Sequence, residues 1–389
     1  MAKFDIWQQV FSISLLSNAA SNQIGTVAEL ETVLANKIRQ AFAAWEPSIG
    51  AWDIAWGPAV YQAPGDRYAD NAIFVAIERA VENPVRIVSI AATNPNSSYD
   101  WLQEDFDVEH VVRWTEAFPT LNPYGAPSGI SPYLSAGTAL GINNLLPLQS
   151  GGATLLQFLN SVENTSATLI FAGHSLAGAL SPTLALAFFN PKGGKLNLSK
   201  WANVRVYPSA GATPANQDFA TFFNGVFPPV AATLGAPPYQ SWNQDVCNNL
   251  DVVPHAWQID TLVMLPTLYG EVPLATLAEL IVVDGALIGL SEAGALTAGP
   301  YSRLSTNPLS GTLNPSLPVT TVASYLDQAG YQHVTEYEVL LGVQSLEGLL
   351  ETAAPLAAVP RRLFTRPPPT RATRRPAPGV SRSGRRRRR

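Results

Sequence analysis

The segment between residues 168 and 189 constrains the fold most strongly. Its first part, Thr168–Ala172, is a continuous apolar run of strand length, and Leu176–Phe189 has the length and composition of a helix. A strand that is apolar on both faces is typical of a parallel sheet covered by helices. A further short apolar run follows at Val204–Tyr207. The order strand, helix, strand therefore predicts an α/β fold with a mainly parallel sheet.

Earlier parts of the chain fit the same layered fold. Two β-branched runs, Ala72–Ile77 and Val85–Ile90, are joined by a short polar link and predict neighbouring strands. Before them, Thr-Val-Ala-Glu at 26–29 has the capping-box pattern, and apolar residues then recur every three or four positions. We expect an amphipathic helix there that Pro47 ends. Residues 153–162 are also predicted to form a helix.

Charge is distributed unevenly over the 389 residues. Residues 1–354 contain 12 basic and 29 acidic residues, whereas residues 355–389 contain 12 arginines and no acid. The acidic body argues against a nucleic-acid-binding surface. The Pro/Arg-rich segment 355–389 is predicted to be a disordered tail.

The sequence also limits the kinds of site and compartment. With one cysteine, Cys247, an intrachain disulfide and a cysteine-pair zinc site are excluded. The longest apolar run, 274–290, is interrupted by Glu279 and Asp284, so we predict no transmembrane segment. Val10–Leu16 is a poor signal-peptide core, and we expect a soluble protein, either cytoplasmic or exported without a leader.

Gly173-His174-Ser175-Leu176-Ala177 lies between the apolar strand and the helix that follows it. A serine in a sharp strand-to-helix turn, with small residues two positions before and two after, is typical of a nucleophile elbow, which projects the hydroxyl above the sheet. The amide of Leu176 would then be one donor to a developing oxyanion. The alternative is an ordinary serine cap of a helix.

A nucleophilic serine needs an imidazole base that a carboxylate orients. The chain has four histidines. His174 adjoins the serine and is expected in the core, and His110 lies in a charged segment that favours a solvated position. Serine, acid, histidine is the usual chain order around such an elbow, which leaves His255 and His333 as candidate bases.

Several separated stretches share the pattern of one family: Ile90–Thr93 with Asp100–Leu102, Gly173–Ala179, Tyr207–Phe219, Asn248–Pro254 and Tyr331–Val334. They resemble, in the same order, five motifs of the class 3 (fungal-type) lipases. The first two are the strand end with its lid hinge and the elbow Gly-His-Ser-Leu-Gly-Gly-Ala. The others are Gly-Ser/Ala-Pro-Arg-Val-Gly-Asn, Asn-x-x-Asp-x-Val-Pro and Tyr-x-His-Val. The resemblance covers about 72–341 and implies the α/β-hydrolase fold, a mainly parallel central sheet with helices on both faces.

Carried over residue by residue, the resemblance makes Ser175 the nucleophile, Asp251 the orienting carboxylate and His333 the base, without metal or cofactor. Asp245 and Asp260 remain alternative carboxylates. It also stays open that Asp251 only caps a loop and that His333 has only a structural role.

The resemblance implies an oxyanion hole formed by Leu176 and Thr93. Thr93 could instead be a turn residue at a strand end, since Ala91-Ala92 replaces the family's Arg-Gly; Ala177 also replaces a glycine. The segment 97–106 that follows resembles a lid helix. The alternative is a surface helix, because its acidic residues, among them Glu104, would resist burial against an acyl groove.

The resemblance implies a serine ester hydrolase, specifically a triacylglycerol lipase that cleaves lipid esters through an acyl-enzyme. An esterase, phospholipase or polyester depolymerase on the same triad, or an inactive lipase-like binding protein, remains open. The expected partner is a lipid or ester substrate, at an oil–water interface if a lid operates. We divide the chain into an N-terminal helical lead packed on the core (1–60), the catalytic domain (61–354) and the tail (355–389).

Eighty-one residues separate Asp251 from His333, more than a minimal hydrolase core needs. The excess is apolar. It could cap an acyl pocket or supply extra core helices, and we favour the core helices.

Overall fold

The structure is a computed structural model that describes residues 3–79, 81–94, 96–97, 104–105, 107–121, 125–163 and 166–343. Its strands are β1 (Trp52–Tyr61), β2 (Asn71–Glu78), β3 (Val85–Ile90), β4 (Val111–Arg113), β5 (Tyr133–Ser135), β6 (Gln149–Ser150), β7 (Ala153–Thr154), β8 (Thr168–His174), β9 (Asn203–Ser209), β10 (Asp245–Asn248) and β11 (Thr306–Leu309). Its α-helices are α1 (Ile6–Leu15), α2 (Val27–Ile49), α3 (Trp114–Ala117), α4 (Ala136–Leu145), α5 (Leu155–Ser161), α6 (Leu176–Phe189), α7 (Gln217–Val226), α8 (Ile259–Leu262), α9 (Leu274–Ala298), α10 (Val322–His333) and α11 (Thr335–Leu341).

The central sheet has seven strands in the order β1-β2-β3-β8-β9-β10-β11. Neighbours from β3 to β11 are parallel, and β1 and β2 add an antiparallel edge. The predicted mainly parallel central sheet is therefore confirmed. Ile90 pairs with Gly173, so β3 and β8 end at the same edge of the sheet.

Helices cover both faces of the sheet because its central strand is apolar on both. Successive side chains of a strand point to opposite faces. Leu169 and Phe171 of β8 pack in the core that contains α6, whereas Ile170 and Ala172 pack in the core that contains α1 and α2. Every residue of α6 is buried, as expected of a helix that lies directly on the sheet.

Pro47 does not end α2, which continues to Ile49. The prediction of a stop at the proline was wrong because Trp45 and Ile49 continue the buried face of the helix and offset the hydrogen bond that proline cannot donate. The helix ends at Gly50, whose φ of 82° suits the left-handed region and whose amide donates to the Glu46 carbonyl at 2.9 Å.

The N-terminal part of the chain is less purely helical than predicted. Residues 1–60 contain α1 and α2, but they also contain most of β1, which pairs with β2 at the edge of the sheet. Helix α1, which covers much of the poor signal-peptide core, packs on β3 and β8. The segment 153–162 forms the short β7 before α5 rather than one helix. The domain bounds stay a prediction, and the tail lies outside the described residues.

Gly178 lets α6 approach the loop after β9. A Cβ added there would lie 2.6 Å from the Gly211 Cα and 2.7 Å from the Ser209 carbonyl oxygen. We expect Gly178→Ala to lower the free energy of unfolding by about 1–3 kcal/mol, the usual cost of overpacking, in urea denaturation. Gly285→Ala in α9, where a Cβ meets nothing within 4 Å, is the control and should be neutral or slightly stabilising. An equal loss in both variants would contradict this explanation.

Candidate active site

Ser175 occupies the turn between β8 and α6 in the conformation of an elbow. Its φ of 61° and ψ of −126° lie outside the regions that most residues adopt, and its amide donates to the Ser209 carbonyl at 3.0 Å. A Cβ at Gly173 would collide with the methyl group of Ala177. The small residues on each side of the serine are therefore required by the tight turn, and the departure at Ala177 fits within it.

Three of the predicted site residues form a continuous hydrogen-bonded chain. His333 Nε2 lies 2.8 Å from Ser175 Oγ, and His333 Nδ1 lies 2.8 Å from Asp251 Oδ2. Asp251 comes just after β10 and is 0% exposed, whereas His333 is the last residue of α10 and is 6% exposed. The carboxylate can hold the tautomer in which Nδ1 carries the proton, leaving Nε2 free to accept the serine proton.

Tyr337 supports this chain, although nothing in the sequence pointed to it. Its hydroxyl donates to Asp251 Oδ2 at 3.0 Å and accepts the Asn248 amide at 2.8 Å. The Asn248 side chain in turn donates to the Gln332 carbonyl at 3.0 Å, next to His333. Asn248 and Gln332 belong to two stretches that carried the family resemblance, and the structure shows that they join the acid loop to the base.

His174 lies in the core beside the base, as predicted. Its Nε2 donates to the His333 carbonyl oxygen at 2.8 Å, and its Nδ1 lies 3.0 Å from Ser209 Oγ. Burial lowers the pKa of His174 to about 3, so the ring is neutral at pH 7. The Phe11 ring of α1 lies edge-on 5.8 Å from His174 and stacks 6.3 Å from Tyr337. Residues from both ends of the described chain thus support the site.

The two other histidines lie apart from the hydrogen-bonded chain. His255 Nδ1 lies 3.1 Å from the Thr261 carbonyl oxygen, and burial lowers the pKa of this histidine. The His110 side chain is 70% exposed and its Nδ1 lies 2.6 Å from an Asp107 carboxylate oxygen, which is the predicted solvated position. His333 is therefore the histidine that the structure brings to Ser175.

The alternative carboxylates have other surroundings. Asp245 accepts the Gly211 amide at 3.0 Å, and burial raises the pKa of Asp245 to about 6. Asp260 is exposed at the start of α8. In the part of the chain that the structure describes, Asp251 is the acid that hydrogen-bonds His333. No group of three or more His, Cys, Asp or Glu side chains among these residues is placed to hold a metal ion.

Thr93 and Leu176 lie at the edge of the sheet where β3 and β8 end. Leu176 is the first residue of α6, and an amide at that position has no partner within the helix. Thr93 follows three residues after Ile90, which pairs with Gly173. Its hydroxyl donates to both carboxylate oxygens of Asp105, at 2.9 and 3.1 Å. These hydrogen bonds fix the orientation of the Thr93 hydroxyl.

Most of the predicted lid, residues 98–103 with Phe106, lies outside the described residues. Glu104 within this segment is described, and it is buried at 2% exposure. Its burial is not against an acyl groove, since the Asn71 and Asn144 amides donate to its two oxygens at 2.8 and 2.7 Å. Burial also raises the pKa of Glu104 to about 7, which lessens the cost of enclosing the group.

Asp105 should make stability depend on pH. Burial raises the pKa of Asp105 from 3.8 to about 8, so between these values the folded chain holds a proton that the unfolded chain releases. The free energy of unfolding should therefore fall from pH 4 to pH 8 through this group. Asp105→Asn keeps an acceptor for Thr93 and should flatten the fall in urea denaturation series, whereas Asp260→Asn at an exposed position should not. A steeper fall in Asp105→Asn would contradict this assignment.

Comparison with solved structures places this geometry on a known fold. The chain matches the crystal structure of M37 lipase with a TM-score of 0.68 and 27% identity, over 90% of this chain and 99% of that one. A lipase from Rhizopus microsporus var. chinensis matches at 15% identity and a TM-score of 0.36, over 63% of this chain and 69% of that one. A triacylglycerol lipase from Penicillium expansum matches at 17% identity and a TM-score of 0.36, over 66% of this chain and 75% of that one.

No protein-family model matches the sequence, and no curated protein matches it. The match to M37 lipase nevertheless extends over nearly the whole of both chains. The predicted resemblance to the class 3 lipases is thereby confirmed, and the chain has the α/β-hydrolase fold of a lipase of known structure.

Proposed function

We propose that the chain is a serine ester hydrolase of lipase type, with Ser175 as nucleophile, His333 as general base and Asp251 as orienting carboxylate. The observation that carries this proposal is the hydrogen-bonded chain from Ser175 through His333 to Asp251, with both bonds at 2.8 Å. A strained serine beside an imidazole whose far nitrogen meets a buried carboxylate is an arrangement suited to acyl transfer.

The reaction follows from the positions of the protons. Ser175 Oγ attacks the ester carbonyl while its proton passes to His333 Nε2, and a tetrahedral intermediate forms. His333 then gives this proton to the leaving alcohol, whose C–O bond breaks to leave an acyl-serine. Water repeats the sequence, releases the carboxylic acid and restores the serine. Asp251 orients His333 through Nδ1 and stabilises the imidazolium that forms in each half-reaction.

Leu176 and Thr93 are proposed as the donors to the oxyanion. The amide of Leu176 follows the nucleophile directly, and the N-terminus of α6 favours negative charge at this point. Thr93 adds a second donor from the end of β3, held by Asp105 through its hydroxyl. Each such donor contributes about 10²–10³-fold to the rate in enzymes of this kind.

A lipid ester is the substrate class that the proposal favours. M37 lipase, which matches 90% of this chain, is named as a lipase, and the Penicillium expansum protein is named as a triacylglycerol lipase. We therefore propose acylglycerols, ahead of the esterase, phospholipase and polyester depolymerase alternatives. An inactive binding protein is disfavoured because Ala177, one of the departures from the family pattern, fits the elbow without displacing Ser175.

Labelling with a fluorophosphonate probe tests the proposal directly. The wild-type chain should label once, Ser175→Ala should not label, and Ser161→Ala at an exposed position should label as the wild type. Initial rates on p-nitrophenyl esters of increasing chain length, on triolein and on phosphatidylcholine then separate lipase, esterase and phospholipase. A wild-type chain that neither labels nor cleaves any of these esters would establish the inactive alternative.

A further inference from the structure

Helix α9 lies in the apolar insertion between Asp251 and His333, and it is not the core helix that the sequence favoured. It has 25 residues, and its most apolar 18-residue window has a mean hydropathy of 1.8, but only 22% of this window is buried. Among the described helices it alone is long and apolar enough to cross a membrane by length and composition. An apolar helix that remains this exposed needs an explanation.

The face of α9 that meets the protein holds polar as well as apolar side chains, unlike that of an ordinary surface helix. On the buried face, the Thr276 hydroxyl donates to the Thr320 carbonyl at 2.9 Å, and the Ser291 hydroxyl donates to the Trp257 carbonyl at 2.6 Å. Asp284 on this face is 7% exposed. A surface helix normally turns its apolar side chains inward and its polar ones outward.

The outer face of α9 carries four exposed large apolar side chains. Leu274, Ile281, Val282 and Leu296 are 84%, 55%, 73% and 90% exposed. At 100° per residue these four positions fall on one side of the helix, opposite the buried Thr276, Leu280, Asp284 and Ser291. Small residues, Ala278, Gly285 and Gly289, lie between them on this side, together with one carboxylate, Glu292.

Neighbouring elements enlarge this apolar surface. Helix α8 contacts α9, and directly after it Val263 and Met264 are 55% and 49% exposed. A single exposed apolar residue is common on any soluble protein, but a row along a helix of 25 residues with further apolar neighbours is typical of an interaction surface.

Helix α9 is also attached to the elements that carry the proposed triad. Leu280 packs in a cluster with Tyr325 of α10, the helix that ends at His333, and with Val252, which follows Asp251. At the other end of α9, Gly294 lies against the Val108 carbonyl, close behind Asp105 in the chain. A surface that α9 binds is therefore held close to the site.

Charge identifies the kind of surface. No lysine or arginine occurs between His255 and Arg303, and the exposed side of α9 bears only the carboxylates Glu279 and Glu292. Anionic head groups would be repelled, so binding would depend on apolar contact with an uncharged or zwitterionic lipid surface. This distinguishes α9 from the arginine-rich tail, for which anionic lipids and a strong salt dependence would be expected.

We propose that the outer face of α9, defined by Leu274, Ile281, Val282 and Leu296, docks the protein on a neutral lipid surface that contains its substrate. The proposal rests on the proposed function for the identity of that surface. The polar bonds of Thr276 and Ser291 to the domain keep α9 on the protein, so it lies along the lipid surface rather than across a bilayer.

Binding of the full chain to phosphatidylcholine vesicles and to triolein droplets tests the proposal. Both measurements use the Ser175→Ala background, so that no substrate is consumed. The triple variant Leu274→Ser, Val282→Ser, Leu296→Ser should reduce the partition constant at least ~10-fold. The matched control Val81→Ser, Leu198→Ser, Leu234→Ser changes three other exposed apolar residues and should bind as the parent does. Binding by the parent should persist from 0.05 to 0.5 M NaCl.

A local probe gives a second readout that does not depend on how the triple variant folds. Cys247 is the one cysteine and is buried, so a cysteine introduced at Val282 can be labelled selectively with an environment-sensitive fluorophore. Its emission should shift to the blue on phosphatidylcholine vesicles, whereas the same label on Leu234→Cys should not respond.

Several results would overturn the proposal. The triple variant could bind as the parent does, or the label at position 282 could fail to respond to vesicles. Binding could need anionic lipid and disappear in salt. Light scattering could show that a second copy of the chain covers α9. The proposed function is separate, because it fails if the wild-type chain does not label with fluorophosphonate, and lipid binding through α9 can be observed in either case.

Discussion

Ser175→Ala should lower kcat/KM for a soluble short-chain ester by about 10⁴-fold or more, and His333→Ala should cause nearly the same loss. The serine oxygen is the atom that forms the acyl bond, and His333 Nε2, 2.8 Å away, is the base within reach of its proton. The double variant should be scarcely slower than either single variant, because the two side chains act as one unit. Initial rates with purified protein give the comparison.

His255→Ala is the matched control for the base. His255 is buried like His333, but its Nδ1 lies 3.1 Å from the Thr261 carbonyl oxygen and not on the serine. The His255→Ala variant should retain activity within a few-fold of the wild type. Loss of activity in His255→Ala together with retention in His333→Ala would show that the base is misassigned. Thermal unfolding of each variant separates loss of chemistry from loss of fold.

Asp251→Asn should reduce kcat by about 10³–10⁴-fold while substrate binding changes little. Asp251 Oδ2 accepts from both His333 Nδ1 and the Tyr337 hydroxyl, at 2.8 and 3.0 Å. An amide nitrogen at this position would meet two donors, so either the asparagine or the histidine must reverse its hydrogen bonding. The histidine tautomer with Nε2 protonated cannot accept the proton of Ser175.

Two further variants make this result specific to Asp251. Asp245→Asn changes the alternative carboxylate, which accepts the Gly211 amide, and should leave kcat within a few-fold of the wild type. Tyr337→Phe removes one donor to Asp251 without altering its charge and should cost less than Asp251→Asn. The assignment would be refuted if Asp245→Asn abolished turnover and Asp251→Asn did not.

The elements that could be predicted from the sequence are those whose burial imposes a simple pattern of apolar residues. Helix α6 and strand β3 have the predicted bounds, because a largely buried element is a mostly apolar run that stands out from the polar segments beside it. The serine at the turn, its distant base and its acid were also predicted as neighbours, and the structure brings Ser175, His333 and Asp251 together. Here the family resemblance supplied what spacing alone left open.

The missed features depend on contacts between distant parts of the chain. Tyr337 gave no local signal, since its importance comes from a hydrogen bond to Asp251, 86 residues earlier. Glu104 could be buried only because two asparagines from other elements meet its oxygens. The outward apolar face of α9 was missed because periodicity shows which residues share a side but not which side meets the protein.

The contact of Phe11 with His174 and Tyr337 has a consequence for biosynthesis. In chain order Phe11 precedes Tyr337 and its helix by more than 300 residues, so it leaves the ribosome well before them. The elbow can form once the central strands have paired, but His333 and its support are synthesised later than Ser175. A nascent chain therefore carries an unactivated serine until this later part is made, and under the proposed function hydrolysis starts only when α10 and α11 have docked.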